Sequence, residues 1–294
     1  MNIRSSSNFI SRPVRPNPAD TISTGQELGT DDTQKDLFAL SAGVSGVEMA
    51  KSLTDFAKKR AASSWLTGAY AIAGALAGGP ALGSAVVDTV EKAVCDPVAR
   101  GLLAVASGFE GPGSVEEIRR SSAGLGKTPA QEGLFGLAAG VAGVRGADEA
   151  IELGLAEGQN DTEAAYYALA TAVAGGVRQL GSALEMAEDF ASTPELNGPY
   201  AVAASLAGRD DARSVLRLAE GMGRTPAEKA AFGLAGALAG VERAPGFIRM
   251  ARAMAENESQ IPAMAVAATL TGAPTSAKIA TALAGTMLFQ EQAS

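Results

Sequence analysis

The segments Gly-Lys-Thr-Pro-Ala-Gln-Glu-Gly-Leu-Phe-Gly-Leu-Ala at 126–138 and Gly-Arg-Thr-Pro-Ala-Glu-Lys-Ala-Ala-Phe-Gly-Leu-Ala at 223–235 are nearly the same sequence, 97 residues apart. That separation is about three times 32, and a glycine recurs at this shorter interval along the chain. The spacings are 32 or 33 residues between Gly46, Gly78, Gly111, Gly143, Gly175, Gly208, Gly240 and Gly272. A fixed interval of this length is typical of proteins built from stacked structural repeats.

A residue that can cap a helix stands fifteen positions before each of these glycines. Asp, Asn, Ser and Thr side chains accept hydrogen bonds from the free N–H groups of a first helical turn. Proline follows four of the caps, where its missing N–H costs little, and Gln or Glu often stands three residues after the cap. The eight predicted caps are Asp31, Ser63, Asp96, Thr128, Asn160, Thr193, Thr225 and Asn257. Each unit is therefore predicted to begin a helix at its cap and to end it at its glycine.

The first helix of each unit is nearly free of charge, and a second helix that follows it is amphipathic. Glu110 is the one charged residue in the last nine positions of the first helix across all eight units. In the second helix of the sixth unit, Val215 and Leu218 lie on one face while Arg213 and Arg217 lie on the other. Because one helix pair cannot bury its own apolar faces, neighbouring units must stack. The sequence thus predicts an all-α, right-handed superhelix of eight helix-turn-helix repeats, each 32–33 residues long.

These capped helix pairs resemble the α-solenoid class, which includes the HEAT and armadillo repeat proteins, over about residues 31 to 290. The resemblance implies a curved array whose second helices display side chains to a protein or peptide partner. Five exposed positions on the second helices differ in charge between units and are candidate partner-binding residues: Asp55, Arg120, Glu152, Arg217 and Arg249. The function expected from this pattern is non-enzymatic protein binding by a monomer.

Residues 1–30 differ from the repeat domain at 31–294. They are rich in Ser, Arg and Pro, with no acidic residue before Asp20, so we expect a disordered arm. The arm is similar to the N-terminal export signals of bacterial type III secreted effectors, which implies secretion from a bacterium into a host cell and a host protein as partner. The same composition also fits a mitochondrial transit peptide. Without such a signal, the expected compartment is the cytoplasm.

Composition excludes several classes of site. The chain contains no histidine and one cysteine, Cys95, so Ser-His-Asp triads, Cys-His pairs and His or Cys zinc sites are excluded. Its 24 basic and 32 acidic residues give a net charge of −8, which disfavours nucleic-acid binding. We therefore expect neither a metal nor a cofactor.

Two alternatives to protein binding remain open in the sequence. Carboxylates in a groove of the array could support an enzyme if two of them had separated pKa values. The run from Trp65 to Val87 contains 23 residues without a charge, long enough to cross a bilayer, so a membrane-associated or translocator-like protein is the other alternative. Because this run includes a predicted turn at Gly78-Gly79-Pro80, the repeat interpretation is preferred.

Overall fold

The computed structural model describes residues 17–143, 145–174 and 177–270, and all regular secondary structure in these ranges is helical. The predicted all-α class is therefore confirmed. The α-helices of the described residues are α1 (Pro18–Leu28), α2 (Asp32–Ser45), α3 (Val47–Arg60), α4 (Ser64–Ala77), α5 (Pro80–Ala93), α6 (Pro97–Ser107), α7 (Val115–Ser122), α8 (Pro129–Ala142), α9 (Ala147–Glu157), α10 (Asp161–Ala174), α11 (Val177–Phe190), α12 (Asn197–Ala207), α13 (Arg209–Met222), α14 (Pro226–Ala239), α15 (Ala244–Met254) and α16 (Ile261–Leu270). Short 3₁₀ turns at Pro112–Ser114, Pro194–Leu196 and Glu258–Gln260 precede α7, α12 and α16.

Side-chain caps begin most of the even-numbered helices. Six of the predicted caps accept a first-turn N–H at 2.8 to 3.3 Å: Asp31, Ser63, Asp96, Thr128, Asn160 and Thr225. The cap prediction is wrong for the side chains of Thr193 and Asn257, which make no capping bond to the turn that follows. Both of these units begin with a 3₁₀ turn, and their α-helices start four residues after the predicted cap.

Five of the even-numbered helices end directly before a repeat glycine, as predicted: α2, α4, α8, α12 and α14. The prediction is wrong for α6, which ends at Ser107, four residues before Gly111. Six of the repeat glycines have φ between +70° and +93°: Gly46, Gly78, Gly111, Gly143, Gly208 and Gly240. Side chains with a Cβ rarely adopt these angles, so substitution would strain the turn. The left-handed helical conformation occurs at Gly78, whereas Gly46 and Gly240 combine positive φ with extended ψ. Gly175 and Gly272 lie outside the described residues.

The even-numbered helices pack against each other in chain order, and the odd-numbered helices cover them. Every residue from Trp65 to Leu76 in α4 is buried, as are all ten residues of α16. Small side chains permit this close packing: a Cβ added to Gly140 in α8 would lie 2.4 Å from the carbonyl oxygen of Ala106 in α6. The odd-numbered helices bury one face and leave the other exposed, as the amphipathic pattern predicts.

The first and last even-numbered helices, α2 and α16, also pack against each other. Their contact repeats the contact between consecutive units. A Cβ added to Gly43 in α2 would lie 2.9 Å from the carbonyl oxygen of Ala267 in α16, and these positions correspond to Gly140 and Ala106 in the pair α8 and α6. The eight even-numbered helices therefore form a closed circuit.

Polar contacts at the closure also repeat those between consecutive units. Gln260 Nε2 donates to Asp32 at 3.0 Å, as Gln34 Nε2 donates to Ser64 of the next unit at 3.4 Å. The Lys35 ammonium donates to Glu256 at 2.6 Å across the same junction. An open array would leave the first and last units with one neighbour each, whereas the closure gives both end units neighbours on two sides.

Part of the predicted disordered arm is folded. Residues 18–28 form α1, whose first turn is capped by Asn17, which accepts the Ala19 N–H at 3.2 Å. The helix packs against α2 and also contacts α3, α15 and α16. Local composition did not predict it, because Ile22 is its one large apolar residue with a fully buried side chain. The rest of the arm, 1–16, and the end of the eighth predicted unit, 271–294, lie outside the described residues.

Candidate functional site

The five candidate partner-binding residues lie on the odd-numbered helices α3, α7, α9, α13 and α15, and all five are exposed. Each stands eight residues before the cap of the next unit. The same count on α5 and α11 finds two more charged residues, Asp88 and Glu185. They lie ten rather than nine residues after the repeat glycine, because the turn contains an additional glycine. We call the seven residues the charged belt: Asp55, Asp88, Arg120, Glu152, Glu185, Arg217 and Arg249.

Most of the charged belt is not committed to internal contacts. Asp88 pairs with Arg60 of α3 at 2.5 Å, and this hydrogen bond holds the pKa of the Asp88 carboxyl below its ordinary value. Within the described ranges the other six belt residues make no ion pair and no side-chain hydrogen bond. Glu152 and Glu185 are on α9 and α11, and Arg217 and Arg249 are on α13 and α15. Two acidic positions are thus followed by two basic ones on successive odd-numbered helices.

A cavity of about 680 Å³ lies at the start of α10, α12 and α14. The 3₁₀ turn at Pro194–Leu196 delays the start of α12 by comparison with its neighbours and contributes to this opening. Its lining includes Thr162, Tyr166, Glu195, Asn197 and Pro226. Burial raises the pKa of the Tyr166 hydroxyl above its ordinary value.

Glu163 is the buried acid of this cavity, and its carboxylate is occupied by protein donors. It accepts hydrogen bonds from the Gln159 N–H at 2.8 Å, the Tyr167 hydroxyl at 3.0 Å and the Asn197 amide at 3.2 Å. The equivalent side chains of four other units likewise accept the N–H of the residue before the cap: Gln34, Gln131, Glu228 and Gln260. Glu163 therefore follows the repeat pattern and holds the loop before α10.

A smaller cavity, of about 400 Å³, contains the chain's one cysteine. Cys95 is exposed beside Asp96, and Arg119 and Glu132 line the same cavity. Arg119 is paired with Glu116 at 2.6 Å, and Glu132 accepts the Gly124 N–H at 3.0 Å. Over the part of the chain that the structure covers, no three His, Cys, Asp or Glu residues lie close enough to hold a metal ion.

The uncharged run 65–87 is divided between α4 and α5 by the turn at Gly78-Gly79. Among the described residues, no helix has both the length and the apolar character needed to span a membrane. Comparison of the chain with protein-family models, with curated proteins and with solved structures finds no match.

Proposed function

We propose that this chain is a non-enzymatic protein-binding repeat protein, in which eight αα units form a closed right-handed array and the charged belt contacts a protein partner. The observation that carries this proposal is the belt itself. Charged residues occupy one equivalent position on all seven odd-numbered helices from α3 to α15, and six of them have no ion-pair or side-chain hydrogen-bond partner among the described residues. Charges left free at a surface steer association and set specificity when a partner carries complementary charges.

The arrangement of signs suggests how a partner is recognised. Arg217 and Arg249 are adjacent in the belt and fit an acidic patch, while Glu152 and Glu185 fit a neighbouring basic patch. Arginine is also enriched at the energetically important positions of protein interfaces. The buried even-numbered helices hold these positions on a firmly packed scaffold, which limits the entropy lost on binding.

Charge reversal on the belt tests this proposal. Full-length chain is used to capture partners from a candidate host lysate, and binding of the purified partner is then measured for Arg217→Glu/Arg249→Glu. A matched control, Arg209→Glu/Arg224→Glu, changes two exposed arginines outside the belt by the same charge. We expect the belt variant to bind at least about tenfold more weakly, equivalent to about 1.4 kcal/mol, with the control near the native affinity. Equal affinities in the two variants, or no saturable partner, would count against the proposal.

We further propose that residues 1–16 are a type III export signal, that the chain enters a host cell as a monomer, and that its partner is a host protein. The support is compositional: this segment is Ser- and Arg-rich and contains no acidic residue. We assign the proposed signal to residues 1–16 because residues 18–28 form the helix α1. Deleting residues 2–16 should abolish export from a type III secreting strain while leaving thermal unfolding unchanged. Export that survives the deletion, or import into mitochondria, would contradict this assignment.

A further inference from the structure

The helix α1 lies at an outer position equivalent to that of the second helix of a repeat unit. A Cβ added to Gly25 would lie 2.5 Å from the carbonyl oxygen of Lys35 in α2. A Cβ added to Gly154 in α9 would lie 2.4 Å from the carbonyl oxygen of Ala164 in α10. The two glycines each stand six residues before a cap, and the two carbonyls each stand four residues after it. α1 therefore packs on α2 as α9 packs on α10.

A second repeated contact shows which neighbours α1 lies between. At several junctions, a side chain of one odd-numbered helix donates to the last carbonyl group of the odd-numbered helix before it. These hydrogen bonds run from Arg252 to Met222 at 2.7 Å, from Gln26 to Met254 at 2.6 Å and from Lys58 to Leu28 at 2.7 Å. They place α13, α15, α1 and α3 in succession. We call the place between α15 and α3, against α2, the α1 position.

The repeat also supplies a second sequence for the α1 position. Buried residues of α13 occur four, seven, eight and eleven positions after Gly208, at Ala212, Val215, Leu216 and Ala219. The same positions after Gly272 are Ser276, Ile279, Ala280 and Leu283. Leu283 takes the position of Gly25, where an added Cβ would lie 2.5 Å from the Lys35 carbonyl oxygen, so this segment must dock farther from α2 than α1 does. Residues 274–288 contain one charge, Lys278, so this segment has the sequence of a second helix. Together with α1 and the seven odd-numbered helices from α3 to α15, the sequence has nine such segments for eight outer positions.

α1 has one large apolar side chain that is fully buried, Ile22. Its buried residues are Thr21, Ile22, Thr24 and Gly25, and among the described residues the buried Thr21 hydroxyl has no hydrogen-bond partner. A buried hydroxyl without a partner costs free energy. The corresponding position in the eighth unit is Ile279, which carries no polar group.

We propose that the α1 position is a docking site for residues 274–288, which take the place of α1 when α1 is withdrawn. The circuit of even-numbered helices would then stay covered on its outer side while the N-terminal arm is free. This exchange is a property of the fold and does not depend on the proposed partner-binding function.

Two substitutions in the full-length chain test the exchange. Ile22→Asp places a charge in the buried face of α1, and Ile279→Asp does so in the alternative occupant. We expect each single variant to lower the midpoint of thermal unfolding by no more than about 4 °C, because the other segment remains able to dock, and the double variant to lower it by roughly 10 °C. Ser23→Asp and Thr281→Asp, at the position of the belt, are matched controls. If Ile22→Asp lowers the midpoint of thermal unfolding by the same amount in the native chain and in the Ile279→Asp variant, the exchange does not occur.

A proximity measurement tests the same proposal without relying on stability. Leu28 lies three residues after Gly25, and Thr286 lies three residues after Leu283, so Thr286 should replace Leu28 beside Lys58 when the segments exchange. In a Cys95→Ser background, Lys58→Cys and Thr286→Cys are joined with a short dimaleimide. Adding Ile22→Asp should raise the intramolecular cross-linking yield severalfold. An unchanged yield would overturn the proposal.

Discussion

Gly43→Ala is expected to destabilise the protein, although an alanine normally stabilises a helix. Gly43 lies inside α2, where replacing glycine by alanine lowers the conformational entropy of the unfolded chain and is worth roughly 0.5–1 kcal/mol. The closure between α2 and α16 opposes this gain. The added Cβ would lie 2.8 Å from the Leu270 Cβ and 2.9 Å from the Ala267 carbonyl oxygen, closer than such atoms approach in folded proteins.

Relief of these two contacts requires α2 and α16 to move apart. Overpacking of this kind costs typically 1–3 kcal/mol. Subtracting the helix gain leaves a net loss of roughly 0–2.5 kcal/mol, and each kcal/mol lowers the midpoint of thermal unfolding by about 2–4 °C. The sign of the change therefore reports whether the two ends of the array touch.

The assay is denaturant unfolding of three alanine variants followed by circular dichroism. Gly140→Ala, at the equivalent internal junction, should lose stability by a similar amount, because its Cβ would meet the Ala106 carbonyl. Gly181→Ala, on α11 with open space around the added Cβ, should gain roughly 0.5–1 kcal/mol. If Gly43→Ala stabilises the chain as Gly181→Ala does, α2 has no neighbour at the closure and the reasoning fails.

Two further predictions concern the caps and the dependence of stability on pH. Thr225→Ala should lower the free energy of unfolding by about 1 kcal/mol, because the Thr225 side chain accepts the Glu228 N–H at 3.2 Å. Thr193→Ala should cost much less, because the Thr193 side chain makes no capping hydrogen bond. Equal losses of stability in urea titrations would contradict this assignment. Burial acts to raise the pKa of Glu220, but hydrogen bonds led by the one from Lys229 outweigh burial and lower that pKa below its ordinary value of 4.5. The ionised Glu220 carboxylate therefore stabilises the fold above pH 4.5, and this contribution is lost as the pH falls further. Glu220→Gln should therefore be less stable than the native chain at pH 7, with a difference that shrinks in acid; a constant difference would refute it.

Local patterns predicted the helices and most of their starts, because caps and helix-ending glycines act within a few residues of themselves. The predicted side-chain caps at Thr193 and Asn257 failed. Pro199 and Pro262 have no N–H to donate within a helix that begins at those caps, and the α-helices start at Asn197 and Ile261 instead. Asp88 and Glu185 were not among the predicted binding residues, and counting back from the next cap identifies them.

The closure and α1 could not be predicted from local patterns. Whether an array of units stays open or closes depends on the rotation between neighbours, summed over eight junctions, and no single repeat contains that sum. α1 has few apolar residues, and its stability comes from Ile22 and from the close approach of Gly25 to α2. The binding residues are a weaker inference from sequence, because charge variation at an exposed position identifies a surface without identifying its partner.

The most direct test of the closed circuit is zero-length cross-linking of the unmodified protein with a carbodiimide, followed by peptide mass spectrometry. The Lys35 ammonium lies 2.6 Å from the Glu256 carboxylate across the closure, and the Lys229–Glu220 pair, at 2.7 Å on neighbouring elements, is an internal control. We predict an intramolecular Lys35–Glu256 cross-link in the monomer at a yield similar to that of the control pair. Efficient Lys229–Glu220 cross-linking with no Lys35–Glu256 product would show that the array is open.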